Sequence, residues 1–96
     1  MGMNSCVTLS GTLICANADE LARVNAGVAQ HIALTRAKAG CLSFELTQSD
    51  DPMIWTLSER FTDAVAFEMH QTRAGASHWA ELTKGIRRDY TISGLE

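Results

Sequence analysis

The chain has 96 residues, a net charge of −3, 46% hydrophobic and 20% charged residues, which fits a single ordered domain over 1–96 and excludes a disordered charged tail. Arg87-Arg88 is the only adjacent basic pair and Asp89 follows it, so no nucleic-acid interface is expected. No apolar run approaches the roughly 20 residues of a membrane span.

No Lys or Arg precedes Arg23, so a secretory leader is not expected. Met1-Gly2 begins like a myristoylation signal, but Cys6 stands where that signal wants Ser or Thr. The cysteines are Cys6, Cys15 and Cys41, an odd count with no C-x-x-C. That argues against a disulfide framework and against a zinc site. Three reduced thiols point to the cytoplasm.

In chain order, residues 5–15 read as a strand. Val7, Leu9, Gly11 and Leu13 alternate with Thr8, Ser10 and Thr12. Gly11 lies mid-strand on the apolar side, which predicts a bulge or a close backbone approach. Asn17 and Glu20 can form a capping box. Leu21, Val24, Val28 and Ile32 then recur at helical spacing, predicting a helix over 18–37 that Gly40 ends. His31 sits on this helix beside Ile32 and reads as a partly exposed structural residue.

Residues 41–48 and 53–61 alternate as two further strands around the turn Ser49-Asp50-Asp51-Pro52, which predicts an antiparallel hairpin. Glu59 shares a face with Trp55 and Leu57 and therefore needs a partner such as an arginine. Thr62 can cap a helix over 63–72, and a short helix is expected over 77–84 before Gly85. Arg88, Tyr90 and Ile92 alternate with Asp89 and Thr91 as a last strand. The order β-α-β-β-α-α-β is a ferredoxin-like α+β plan, an antiparallel sheet with helices on one face. The bare face predicts a homodimer, sheet against sheet.

His70, late in the second long helix, is the candidate proton-transfer residue, with Phe67 three positions before it and Trp79 nine after. A neutral imidazole beside aromatics can hold and deprotonate a flat organic molecule. It can equally be a satisfied histidine at a helix edge. Phe44, Trp55, Phe61, Phe67 and Trp79 read either as walls holding a substrate ring or as core aromatics. Tyr90 can donate a hydrogen bond to a substrate oxygen or serve as an edge contact. Arg73, Arg87 and Arg88 read as solvated or interface charges.

Thr35-Arg36-Ala37-Lys38-Ala39-Gly40-Cys41-Leu42-Ser43-Phe44 resembles the helix-to-strand junction of the antibiotic-biosynthesis monooxygenase family. Lys38 and Ala39 replace that family's usual acidic and proline-like residues. Asp51-Pro52, then Leu57-Ser58-Glu59-Arg60-Phe61-Thr62-Asp63 and His70, is similar to its second signature. Ala74 stands where a second histidine is common, and His78 lies further on beside Trp79.

The resemblance, over residues 6–93, implies a dimeric α+β barrel. It implies an oxygenase acting on a quinol, an anthrone or a related polycyclic phenol with molecular oxygen, with no metal, flavin or other cofactor. It also leaves room for a non-catalytic barrel binding an aromatic metabolite, a haem-degrading relative, or an isomerase. Haem-degrading relatives typically use an Asn on the first strand, where this chain carries Thr8, Ser10 and Thr12.

Overall fold

The computed structural model describes residues 6–95; Met1-Gly2 and Ser5, the start of the expected first strand, lie outside the described residues. The elements are β1 (Val7–Ile14), α1 (Ala18–Arg36), β2 (Cys41–Gln48), β3 (Ile54–Phe61), α2 (Ala64–Gly75), α3 (His78–Leu82) and β4 (Arg87–Ser93). The four strands form one antiparallel sheet in the order β2-β3-β1-β4, the ferredoxin-like arrangement with helices on one face.

Local chemistry sets the boundaries. Asn17 caps α1 by accepting from the Glu20 N–H at 3.0 Å, and Glu20 Oε1 accepts from the Ala16 N–H at 2.8 Å. The β2–β3 turn closes through the Ser49 N–H on the Ile54 carbonyl and the Asp51 carboxylate on the Met53 N–H. The cap of α2 is Asp63, not Thr62: Asp63 Oδ1 accepts from the Ala66 N–H at 2.8 Å. Thr62 instead donates its N–H to the Gly40 carbonyl. This helix runs past the expected 72 to Gly75, because nothing before Gly75 breaks it. The last helix is shorter than expected, since the Thr83 hydroxyl donates back to the Trp79 carbonyl and ends it.

The two faces of the sheet differ sharply. Val7, Leu9, Leu13, Phe44, Leu46, Trp55, Leu57 and Phe61 are buried beneath the helices, joined by Val24, Phe67 and Ile86. By strand alternation the opposite face carries Thr8, Ser10, Thr12, Thr47, Thr56 and Ser58, and the Thr47 and Thr56 hydroxyls meet at 3.2 Å. Gly11 is the expected close approach: a side chain there would run into the backbone of β4 at Asp89 and Tyr90. The sheet is therefore tightest where β4 brings Arg88 and Tyr90 against β1.

Candidate active site

The pleat of β3 turns Trp55, Leu57, Glu59 and Phe61 inward. Glu59 is consequently 4% exposed, in the apolar layer between sheet and helices. Its Oε1 has no hydrogen-bond partner. The nearest basic atom is His70 Nε2 on α2, 3.8 Å away, too far for a direct hydrogen bond. The expected arginine partner is absent among the described residues, and a histidine takes that place. The reason is geometric: the inward face of β3 is covered by α2, and His70 is one of the two buried positions of that helix.

Aromatic rings fix His70 in place. Phe61 stacks on its imidazole with centroids 4.9 Å apart, and Phe44 meets it edge-on at 6.1 Å. Phe67 packs against Phe61 in turn. These residues support the histidine from the core and do not line the cavity beside it. Trp55 is also a core residue, and its buried indole N–H has no partner.

A cavity of about 240 Å³ opens beside the pair, lined among others by Glu59, His70, His31, Trp79, Arg88 and Tyr90. Of the aromatics expected as walls, Trp79 alone is in this lining. The second histidine of the site is His31 of α1, whereas His78 is exposed at the start of α3. His31 is 8% exposed, buried rather than partly exposed as expected. Its ring stacks on Trp79 at 4.7 Å with only 6° between the planes. Gly27, one helical turn before His31, makes room for this: a Cβ there would lie 2.6 Å from Leu82 Cδ1 and 3.2 Å from Trp79 Cε3.

Arg88 is not a free surface charge. Its guanidinium donates to the Thr83 carbonyl, the Ile86 carbonyl and the Thr83 hydroxyl, at 3.2, 2.9 and 2.7 Å. It thereby holds the α3–β4 connection and keeps one positive charge at the cavity wall. Tyr90 lies two residues on along the same inward face of β4.

Burial sets the protonation states. It pushes the Glu59 carboxyl up to about 7. It pushes His31 down to about 4, helped by His70 and Arg88. It also holds His70 below the usual imidazole value, with Arg73 and Lys38 acting in the same direction. Tyr90 is raised, again by burial first. The site thus combines neutral imidazoles with a carboxyl group that gains or loses its proton near neutrality. Such a set can accept and return a proton without solvent. Among the described residues no group of three or more His, Cys, Asp or Glu side chains could hold a metal ion.

A family model described as antibiotic biosynthesis monooxygenase matches residues 13–82. The chain belongs to that family. The matched stretch carries His31, Glu59, His70 and Trp79, and stops before Arg88 and Tyr90. Family membership gives the chain a monooxygenase-like function in general terms.

Solved structures with this fold include an antibiotic biosynthesis monooxygenase-type protein from Nitrosomonas europaea, at TM-score 0.80 and 16% identity, covering 98% of this chain and 93% of that one. A Pseudomonas aeruginosa protein has TM-score 0.72 and 26% identity, covering 97% and 94%. SnoaB of Streptomyces nogalater, described as a cofactor-independent oxygenase, has TM-score 0.76 and 16% identity, covering 96% and 94%. Among curated proteins no sequence matches. No helix among the described residues is long and apolar enough to cross a membrane.

Proposed function

We propose that this protein is a cofactor-independent monooxygenase that oxidises a quinol, an anthrone or a related phenol with molecular oxygen. The observation that carries the reading is the buried His70–Glu59 pair on the wall of a cavity that the His31–Trp79 stack also lines. An electron-rich ring held against Trp79 places an acidic hydroxyl beside the imidazole.

Removal of that proton creates a phenolate that can give one electron to triplet oxygen. The radical and superoxide recombine to form a carbon–oxygen bond, leaving a peroxide that takes up a proton. Loss of the ring hydrogen from that carbon and cleavage of the O–O bond then release water and leave a carbonyl. One oxygen atom enters the product and the other leaves as water. All four electrons come from the substrate, and the His70–Glu59 pair takes the proton in the first step. Exclusion of water favours the sequence, because it protects the peroxide.

Benzene occupies a cavity of about 150 Å³, so a space of about 240 Å³ that is open on one side seats at least one or two fused rings. Oxygen uptake with 1-naphthol, a dihydroxynaphthalene and an anthrone, corrected for autoxidation, is the test. Uptake by wild type that is lost in His70→Ala supports the reading. No uptake with any of them sinks it, and product formed equally well without oxygen would give the isomerase reading instead.

The polar outer face of the sheet supports a homodimer formed sheet to sheet, with hydroxyl groups meeting across it. A monomer by light scattering at micromolar concentration would exclude that assembly.

A further inference from the structure

Glu59 Oε1 is buried and unpartnered, and the residue lines the cavity. A buried carboxylate oxygen without a donor is costly unless something supplies one. His70 Nε2 does not, at 3.8 Å. Two atoms at that separation can both be reached, at ordinary hydrogen-bond length, by one oxygen placed between them on the cavity side.

We propose that the substrate hydroxyl bridges Glu59 Oε1 and His70 Nε2, and that Glu59 is a catalytic residue that ends up holding the substrate proton. The proposal rests on the oxygenase reading for its chemistry, but its geometry stands on the unoccupied hydrogen-bonding position of Glu59. In the step, the substrate O–H donated to Glu59 Oε1 breaks and an O–H bond forms on the carboxylate, while His70 donates its Nε2–H to the substrate oxygen and stabilises the charge left there. The electron pair stays on the substrate oxygen.

Charge decides between the two groups. A proton left on His70 creates an imidazolium and a phenolate together in a buried site. A proton passed to Glu59 only moves one negative charge from the carboxylate to the substrate, and no new ion is made. When the peroxide later needs a proton, the Glu59 carboxyl can return it. The carboxyl group that titrates near neutrality is matched to this exchange, whereas both imidazoles are held as weak bases. The groups facing Glu59 are His70 from α2, His31 from α1, Arg88 and Tyr90 from β4, and Cys41 from β2; Lys38 and Arg73 act on it through His70.

The experiment uses the full chain with carbon-13 in the glutamate carboxyl groups, without substrate and then with 1-naphthol under nitrogen. One carboxyl titrating near neutrality, absent in Glu59→Gln and shifted by naphthol, is the expected result. An ordinary acidic titration of Glu59, or no response to naphthol, overturns the proposal whether or not Glu59→Gln folds. In oxygen uptake, Glu59→Gln is expected to lose about 100-fold or more of kcat and its inflection near neutral pH, while Glu59→Asp keeps the inflection. Turnover and pH profile unchanged in Glu59→Gln overturn it equally. If wild type consumes no oxygen but naphthol still moves the Glu59 signal, the oxygenase reading fails and the bridging contact stands.

Discussion

The imidazole of His31 lies flat on the indole of Trp79, 4.7 Å between centroids, and both rings line the cavity. Helix α1 and the short α3 meet through this stack. Trp79→Ala removes an aromatic pair of about 0.5–1.5 kcal/mol beyond its buried area. It also admits water to His31. Titration of His31 by imidazole NMR is expected to move up from about 4 toward 6.5. A value still near 4 would mean that other walls do the burying.

The carboxyl of Glu59 makes stability depend on pH with a definite sign. In the fold it keeps its proton up to about pH 7, and in the unfolded chain only up to about 4.5. Its contribution is therefore fully present below 4.5 and lost as pH rises to 7. The loss approaches about 3 kcal/mol. His31 works oppositely: its folded value near 4 lies below 6.5, so stability rises with pH across that interval. His70 adds in the same direction as His31. Urea unfolding of Glu59→Gln should show little change at pH 5 and a gain of up to ~3 kcal/mol over wild type at pH 8. Equal differences at both pH values would contradict the raised carboxyl.

Gly27 is a spacer between α1 and α3. In an exposed helix a larger residue would be favoured by about 1 kcal/mol. Here Gly27→Leu must push aside Leu82 and Trp79. Overpacking of this kind costs about 1–3 kcal/mol. A lowered urea midpoint is expected, together with red-shifted tryptophan emission as Trp79 is displaced. A stabilised protein with unchanged emission would show that α3 yields freely.

Arg88 ties the α3–β4 connection to β4 through three hydrogen bonds. Charged donors of this kind contribute about 1.5–3 kcal/mol when buried, and less here because the residue is partly in water. Arg88→Ala is expected to lower stability by ~1 kcal/mol and to speed amide exchange at Ile86 in the connection. Unchanged exchange there would assign the arginine to ligand contact alone.

Alternation and capping made the strands and helices readable, because apolar parity through most of β1 and β3 reports a face directly; on β2 it fails at Leu42, which is 50% exposed where the register shifts between Cys41 and Ser43. Glu59 was legible as an inward carboxylate by the same parity, but its partner was not, since strand parity says nothing about which helix lies above. His31 was hidden for a different reason. The buried stripe of α1 is Val24, Gly27, His31 and Thr35, and only its first member is apolar. Of the hydrophobic residues at helical spacing, Val24 lies in the stripe, and Leu21, Val28 and Ile32 flank it as half-buried neighbours. A core seam built of a glycine, a histidine and a threonine leaves no mark on a hydropathy pattern, although a glycine one turn from a histidine in mid-helix is a signal of something large packed close.

The alternation along β3 also bears on how the molecule matures. Glu59 is flanked by Ser58 and Arg60, which point to the opposite side of the sheet. A pairing slipped by a single residue would carry the arginine into the chamber and the carboxylate out of it, inverting the sign of charge there. A misregistered chain would lose the carboxylate beside His70 and would bury a guanidinium among phenylalanines. Such a chain is penalised as it folds, so the parity that sets Glu59 beside His70 also proofreads the register.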